Sequence, residues 1–254
     1  MNKIIKRILT IFCALALTGG FGPLFATDAP TTHKIKIVLV GDSTVNDAGG
    51  WGSGFKQFLT GNLECVNTAM NGRSTMSFMK EGRWTNALAL RGDYYLIQFG
   101  HNNQPGKPGR STDMPTFISD LEKYVDDARS IGAKPVLVTP LTRRQWDKDH
   151  PGKINSTLEP YAAEVRKIAA AKNVPVLDLH ARSIEICEAL GPIKCLEFSP
   201  VKKVNGTNDF DGTHLTGSGH VLFARAIVGE LRKAVPELSP LLLDEPAAAQ
   251  PKTK

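Results

Sequence analysis

The segment from Lys34 to Thr44, KIKIVLVGDST, decides the fold class. Its first part, Lys34–Val40, is a mostly apolar and β-branched run, which is typical of a strand buried on both faces. Gly41 ends the run, because glycine allows the chain to leave a strand through a tight turn. Ser43 then lies just beyond the strand, at the rim of whatever sheet the strand joins.

Segments of the same character alternate with helical patterns along the rest of the chain. The further predicted strands are Leu63–Asn67, Asp93–Phe99, Lys134–Thr139 and Val174–Leu179. The predicted helices are Trp51–Thr60, Pro115–Ile131, Leu158–Ala171 and Gly217–Lys233. This alternation predicts an α/β protein, a three-layer α/β/α sandwich around a five-stranded parallel sheet, with its ligand beyond the carboxyl ends of the strands.

The two ends of the chain differ from this middle part. Residues 1–26 combine basic residues, an apolar run and small residues, which predicts a secretory signal peptide and a periplasmic or extracellular destination. An uncleaved N-terminal anchor is the alternative, although the run is too short for stable membrane insertion. We expect one catalytic domain over residues 33–236 and a disordered, Ala-, Pro- and Lys-rich tail over residues 244–254.

Charge and composition exclude some functions. The formal net charge of +6 falls to +3 when Lys3, Lys6 and Arg7 leave with the signal peptide. Without a long basic run, the sequence gives no support to nucleic-acid binding. A mild positive balance suits an acidic polysaccharide, but it also suits proteins without a charged partner. The oligomeric state stays open.

Three cysteines remain after the leader: Cys65, Cys187 and Cys195. No CxxC pair is present, so we expect neither a zinc site nor a redox site. Because Gly191 and Pro192 could turn the chain back on itself, we predict a Cys187–Cys195 disulfide in an oxidising compartment. The alternative is that all three are small apolar core residues.

Polar motifs follow the predicted strands. Ser43 follows the first strand, and Asp211 precedes His214 by three residues just before the last helix. An Asp at this spacing can hold the imidazole Nδ1–H while Nε2 takes the serine proton, as in a catalytic triad. Gly72 and Asn102 follow the second and third strands, and both can donate N–H groups to an oxyanion. Each fragment alone also fits a surface turn.

In this order and placement, the four blocks together resemble the SGNH (GDSL-like) hydrolases, a family named for its Ser, Gly, Asn and His residues. The resemblance implies a flavodoxin-like sandwich and a serine esterase that needs no metal or organic cofactor. Ser43 would be the nucleophile, and its N–H would join Gly72 N–H and the Asn102 side chain in the oxyanion hole. His214, oriented by Asp211, would be the general base and then the acid.

Within that family, the segments GWG (50–52), TPLTRR (139–144) and DGTHLT (211–216) resemble the rhamnogalacturonan acetylesterases and related pectin or xylan deacetylases. The resemblance implies an acetylated polysaccharide or oligosaccharide as substrate, with the acetyl groups removed through an acyl-enzyme. One departure is visible: Asn103 replaces the Asp usual in the third block. We expect this to affect local hydrogen bonding rather than activity.

Three further residues are candidate substrate contacts: His101, Arg143 and Arg144. The two guanidinium groups match the geometry of a uronate carboxylate. A structural histidine and a solvated arginine pair are the alternatives. Trp51 could stack on a sugar, but core packing is favoured.

Two other functions compete with this interpretation. A lipase, thioesterase or arylesterase of the same family would need an apolar rim around Ser43, whereas the neighbouring loops are polar. A non-catalytic carbohydrate-binding relative would have no need to keep Ser43, Asp211 and His214 together.

Overall fold

The computed structural model describes residues 34–247, so the predicted signal peptide and the end of the predicted tail, residues 248–254, lie outside the described residues. Five strands form one sheet in the order β2-β1-β3-β4-β5, and every neighbouring pair is parallel. The strands are β1 (Ile35–Gly41), β2 (Leu63–Asn67), β3 (Tyr94–Gln98), β4 (Lys134–Val138) and β5 (Val176–Leu177). The predicted sheet is therefore confirmed.

Helices cover both faces of this sheet. They are α1 (Gly52–Lys56), α2 (Thr75–Lys80), α3 (Arg83–Ala89), α4 (Met114–Ser130), α5 (Glu159–Lys172), α6 (Leu179–Cys195) and α7 (Ser218–Ala234). A two-stranded antiparallel hairpin, β6 (Val201–Val204) and β7 (Thr207–Phe210), leads from α6 to the segment that precedes α7. The architecture is the expected α/β/α sandwich.

Strand β1 lies inside the sheet and is buried on both faces, which explains its apolar run. Ile37 and Leu39 belong to one hydrophobic core, which includes residues of α1 and α7. Val38 and Val40 point to the opposite face and join a second core, which includes residues of α3, α4 and α5. Alternate side chains of a strand face opposite sides of a sheet, so one short segment contributes to both layers.

Helix α6 is missing from the sequence-based prediction, and it shortens β5. The predicted strand Val174–Leu179 is reduced to two residues because the Asp178 side chain accepts a hydrogen bond from Ala181 N and caps the start of α6. Gly191 has φ 78° and interrupts the helix. The Gly-Pro pair therefore produces a kink between two helical pieces rather than a reversal of the chain.

The predicted Cys187–Cys195 disulfide is not formed in the structure, although the two thiols lie close together. Both residues are free, buried thiols, and the Cys195 thiol donates to the Cys187 carbonyl oxygen over 3.6 Å. The hydrogen bond with Cys195, together with burial, raises the pKa of the Cys187 thiol far above its usual range. Cys65 is also free and is partly buried.

The described fold continues beyond residue 236, the predicted end of the domain. Leu238 and Leu242 are buried in the core that contains α7. Part of the predicted tail also makes contacts, since Asp244 pairs with Arg232 over 3.0 Å. No helix within residues 34–247 is long and apolar enough to cross a membrane.

Candidate active site

Ser43 lies at the carboxyl edge of the sheet, in the turn that follows β1. A Cβ at Gly41 would lie 2.5 Å from the Gln98 carbonyl oxygen on β3, so only glycine fits where the chain leaves the strand. The turn is fixed by Asp42, whose Oδ1 accepts hydrogen bonds from Thr44 N at 2.9 Å and Thr44 Oγ1 at 2.8 Å. Ser43 itself is 8% exposed, so its hydroxyl is held in a largely buried setting.

The imidazole of His214 connects Ser43 with Asp211. His214 Nε2 lies 2.8 Å from Ser43 Oγ, and Nδ1 lies 2.6 Å from Asp211 Oδ2. A carboxylate partner keeps the ring proton on Nδ1, so Nε2 is left to accept the serine proton. The structure thus brings the three predicted triad residues into hydrogen-bond contact in the order that proton transfer requires.

Asp211 is held in its ionised form. Burial alone would raise its pKa, but hydrogen bonds from the His214 side chain and from the backbone N–H groups of His214 and Thr213 outweigh this and lower the pKa to about 2. The two backbone donors lie 3.0 Å and 2.7 Å from Asp211 Oδ1. The carboxylate can therefore orient the imidazole and stabilise the imidazolium at any pH where His214 acts as a base.

Arg144 fixes the segment that carries this pair. Its side chain is only 7% exposed, and Nη2 donates to the carbonyl oxygens of Asp211 (2.9 Å) and His214. Its backbone N–H donates to Gly212 O over 2.7 Å. These contacts correct the prediction that Arg144 binds substrate: the guanidinium is buried beneath the catalytic segment, where a sugar cannot reach it.

The residues predicted to form the oxyanion hole follow three adjacent strands, β2, β1 and β3. Within residues 34–247, neither Ser43 N–H nor Gly72 N–H donates a hydrogen bond to a protein acceptor, so both are available to a ligand. Gly72 has φ 75°, which favours glycine. Asn102 is 6% exposed and uses one amide N–H on Arg73 O over 3.1 Å, which leaves the second N–H free.

The Arg73 side chain contacts the peptide group that carries the Gly72 N–H, a contact that the sequence does not show. Its Nη1 donates over 2.7 Å to the carbonyl oxygen of Asn71. That carbonyl belongs to the same peptide group as the Gly72 N–H, so a cation on the oxygen polarises the N–H and strengthens it as a donor. Glu81 holds the guanidinium from the other side, with Nε 3.0 Å from Oε2.

The predicted substrate contact at His101 is corrected by its burial. The ring is 2% exposed, and Nδ1 lies 3.5 Å from Asp42 Oδ2, beneath the nucleophile turn. Burial lowers the pKa of His101, and the neighbouring Asp42 carboxylate opposes this effect. Trp51 is also fully buried, and its Nε1 donates to Gln98 Oε1 over 2.9 Å, as expected for a core residue.

The side-chain amide of Asn103 donates hydrogen bonds to two neighbouring hydroxyl groups, which explains why an Asn fits at this position. Its Nδ2 group donates to Thr75 Oγ1 at 2.7 Å and Thr112 Oγ1 at 2.9 Å. Thr75 Oγ1 in turn donates to Asp120 Oδ2 over 2.6 Å, so this hydroxyl has no proton left for a carboxylate at position 103. The hydroxyl groups of Thr75 and Thr112 accept from the Asn103 amide, so they suit an Asn at this position better than the usual Asp.

Of the predicted substrate contacts, Arg143 alone lies at the surface of the site. Its Nη1 donates to Thr213 Oγ1 over 3.0 Å, and Thr213 directly precedes His214 in the chain. Contact with substrate at this position stays a prediction. Within residues 34–247, no three His, Cys, Asp or Glu side chains converge in a way that could hold a metal ion.

A family model agrees with this geometry. Residues 39–222 match the GDSL-like Lipase/Acylhydrolase family, a range that contains every residue of the predicted triad and of the predicted oxyanion hole. The chain belongs to this family. This GDSL-like hydrolase is therefore a carboxylic ester hydrolase, as the four sequence motifs predict.

Individual relatives refine the comparison. The chain is 37% identical over 208 residues to the rhamnogalacturonan acetylesterase RhgT of Bacillus subtilis (strain 168), covering 76% of this chain and 88% of the relative. It is 30% identical over 207 residues to the probable rhamnogalacturonan acetylesterase YesY of the same organism, covering 78% and 92%. The predicted resemblance to rhamnogalacturonan acetylesterases is thereby confirmed.

Solved structures support the fold. The Bacillus subtilis protein YXIM superposes with a TM-score of 0.67 at 24% identity, over 78% of this chain and 56% of that longer chain. The acetylxylan esterase Axe2 of Geobacillus stearothermophilus superposes with a TM-score of 0.60 at 21% identity, over 78% of this chain and 96% of that one.

Proposed function

We propose that this hydrolase removes O-acetyl groups from a plant cell-wall polysaccharide of the rhamnogalacturonan or pectin type, through an acyl-enzyme on Ser43. The observation that carries the proposal is the continuous contact from Ser43 Oγ to His214 Nε2 (2.8 Å) and from His214 Nδ1 to Asp211 Oδ2 (2.6 Å). The two relatives of 37% and 30% identity, both named as rhamnogalacturonan acetylesterases, support this substrate class.

Acylation begins when Ser43 Oγ attacks the acetyl carbonyl carbon and its proton moves to His214 Nε2. The negative charge that develops on the carbonyl oxygen is stabilised by Ser43 N–H, Gly72 N–H and the free Asn102 N–H, donors that need no reorganisation. As the tetrahedral intermediate collapses, the ester C–O bond breaks. The departing sugar oxygen takes the proton from His214, which leaves an acetyl group on Ser43.

Deacylation repeats these steps with water as the nucleophile. His214 Nε2 takes a proton from water as its oxygen attacks the acetyl carbon, and the same three donors stabilise the second tetrahedral intermediate. The proton then returns to Ser43 Oγ as its bond to the acetyl carbon breaks, and acetic acid leaves, ionising to acetate. Asp211 remains ionised throughout, because its pKa is held at about 2.

We also propose that the chain is exported to the periplasm or beyond the cell. The support is the basic, then apolar, composition of residues 1–26, and a polymeric substrate fits that location. Cell fractionation would test it: recovery of the shortened protein in the periplasm or medium agrees with export, whereas full-length protein in the cytoplasm contradicts it.

The first experiment compares purified protein with Ser43→Ala on p-nitrophenyl acetate and p-nitrophenyl octanoate, with the exposed Ser218→Ala as a matched control. Acetate release is then measured from acetylated rhamnogalacturonan, pectin and xylan. We expect short-chain turnover that Ser43→Ala abolishes and Ser218→Ala retains, with acetate released from the acidic polymers. Preference for octanoate would indicate a lipase or thioesterase instead, and a folded protein without turnover on any ester would contradict catalysis.

A further inference from the structure

Two buried ionisable side chains, which we call the turn pair, are Asp42 and His101. Asp42 directly precedes Ser43 in the turn after β1, and His101 directly precedes Asn102 in the turn after β3. Both side chains are almost completely removed from water. The turn pair therefore lies between the segment that carries the predicted nucleophile and the segment that carries a predicted oxyanion donor.

The two carboxylate oxygens of Asp42 contact different turns. Oδ1 accepts hydrogen bonds from Thr44 N and Thr44 Oγ1, which fixes the shape of the nucleophile turn. Oδ2 faces the other turn, where His101 Nδ1 lies 3.5 Å away. Because both oxygens belong to one rigid group, the carboxylate fixes the position of one turn relative to the other.

Burial makes this contact strong. Within residues 34–247, no protein group makes a hydrogen bond with Asp42 Oδ2 or with either ring nitrogen of His101. The pair is therefore held by electrostatic attraction, which acts over short distances with little screening where water is excluded. Two apolar side chains would fill the same space without removing polar groups from water, so stability alone does not explain the pair.

Two cations hold the same histidine through its backbone. Lys107 Nζ donates over 2.6 Å to the carbonyl oxygen of His101, and Arg143 Nη2 lies 3.5 Å from that oxygen. Burial lowers the pKa of Lys107 and the pKa of Arg143, whereas the Asp42 charge acts in the opposite direction on both. The carboxylate and the two cations thus stabilise one another around the turn that carries Asn102.

Arg143 connects this cluster with the segment of the base. Its Nη1 donates to Thr213 Oγ1 over 3.0 Å. The Thr213 N–H in turn donates to Asp211 Oδ1 over 2.7 Å. The nucleophile turn, the oxyanion turn and the segment before α7 are therefore joined through neighbouring contacts around His101.

We propose that Asp42 and His101 are positioning residues, whose contact fixes Ser43 relative to the Asn102 amide at the spacing that attack on an ester requires. The inference rests on the proposed function, because this spacing matters only if Ser43 is the nucleophile. A misplacement of about 1 Å can lower a rate about 10²-fold, since attack needs aligned atoms. Loss of the pair should therefore lower kcat, whereas KM should change little because the substrate contacts remain.

The first experiment is a double-mutant cycle of Asp42→Asn and His101→Gln on p-nitrophenyl acetate. Asp42→Asn retains an oxygen for Thr44 but removes the charge that faces His101. Each single variant should lower kcat by about 10–100-fold, with KM within about twofold of the original protein. Because the two residues act as a unit, the double variant should lose about as much as either single variant, not the product of both losses.

His180 provides the matched control, since it is a second fully buried histidine. Its Nδ1 lies 2.9 Å from Pro140 O, and its Nε2 lies 2.9 Å from Ser156 Oγ. His180→Gln should lower the melting temperature at least as much as His101→Gln, because it disturbs two hydrogen bonds. Its kcat should nevertheless stay within about threefold of the original protein, whereas a purely structural role would make kcat follow the melting temperature in both variants.

A second measurement needs no turnover. In phenylboronic acid, boron accepts an electron pair from a serine Oγ, and the resulting tetrahedral anion resembles the intermediate of ester hydrolysis. This adduct depends on the same spacing of Ser43 and the oxyanion donors. Its dissociation constant should therefore rise about tenfold in Asp42→Asn and His101→Gln but stay the same in His180→Gln.

The outcomes separate the two proposals. Equal kcat and equal boronate affinity in His101→Gln and His180→Gln, or multiplicative losses in the double variant, overturn the positioning role while the esterase stands. Boronate binding that weakens only in the turn-pair variants, in a protein that hydrolyses no ester, supports the positioning role and contradicts the proposed function. If His101→Gln does not fold, Asp42→Asn carries both comparisons, because it preserves the shape of each side chain.

Discussion

Replacement of Asn102 by alanine tests the oxyanion hole most directly. The side chain has two amide N–H groups, and one already donates to Arg73 O over 3.1 Å. The change therefore removes one ordinary hydrogen bond from the folded protein and one donor from the transition state. These two losses differ in size and are measured separately.

The expected magnitudes follow from what each N–H contacts. Loss of an oxyanion donor lowers kcat by about 10²–10³-fold, or roughly 2.7–4 kcal/mol. The hydrogen bond to Arg73 contributes about 1 kcal/mol to folding, so the melting temperature should fall by about 2–4 °C. KM should change little, because the oxyanion exists only in the transition state and the tetrahedral intermediates.

The neighbouring Asn103 is the matched control. It is fully buried and donates two hydrogen bonds, so Asn103→Ala should destabilise the fold more than Asn102→Ala does. Its kcat on p-nitrophenyl acetate should nevertheless stay within about threefold of the original protein, since its amide N–H groups donate to Thr75 and Thr112 and leave no donor for an oxyanion. Thermal melts and steady-state kinetics on both variants give the comparison.

If Asn102→Ala retains kcat within tenfold of the original protein, its side chain is not an oxyanion donor. The assignment is also refuted if Asn103→Ala loses as much activity as Asn102→Ala, because a general distortion of the loop would then explain both. Asn102→Asp keeps the shape but replaces the free donor by an acceptor, and it should lose at least as much kcat as the alanine variant.

Three further changes have expected outcomes. Arg144→Met removes the guanidinium that holds the carbonyl groups of Asp211 and His214. In steady-state kinetics, kcat should fall about 10²-fold with little change in KM. An unchanged kcat would contradict a positioning role for Arg144. Asn103→Asp places a carboxylate against a hydroxyl already used by Asp120, so it should lower the free energy of unfolding by about 1–3 kcal/mol at pH 7. Burial raises the pKa of such a carboxyl group, so urea denaturation should show a smaller loss at pH 5, and an equal loss at both values would refute this. Asp211 has a pKa lowered from 3.8 to about 2, so the stability it contributes is complete above about pH 4 and is lost as the pH falls through 2. The difference in unfolding free energy between the original protein and Asp211→Asn should therefore shrink as the pH falls from about 4 to 2, and a difference that stays constant over this range would contradict the assignment.

Sequence patterns predicted the parts of the fold that are fixed by burial. Strand β1 is mostly apolar because its side chains join two cores, and this run is visible in the sequence. The hairpin β6–β7 has no such signal, since all its residues are exposed and no apolar face distinguishes it from a loop. Helix α6 begins at Leu179 with Asp178 as its N-cap, and the apolar pattern assigned both residues to a strand.

The candidate site was predictable where the chemistry depends on residue type and order. Ser43, Asp211 and His214 have functions that few other residues can perform, so their motifs were informative. Arg144 was misassigned because a guanidinium pattern does not reveal whether the group faces solvent or two backbone carbonyls. The support that Arg73 gives to Gly72 N–H depends on which carbonyl its side chain reaches, and only the three-dimensional structure shows this contact.

The oxyanion donors and the base differ in what holds them. Ser43, Gly72 and Asn102 follow adjacent parallel strands, which lie about 4.8 Å apart, so the backbone ladder of the sheet sets their spacing. His214 lies instead on the irregular segment between the hairpin and α7. Segments of this kind open more readily than a sheet interior. On gradual heating, the imidazole should therefore leave the serine while the hole stays assembled, and inactivation should reverse on cooling until the sheet itself melts.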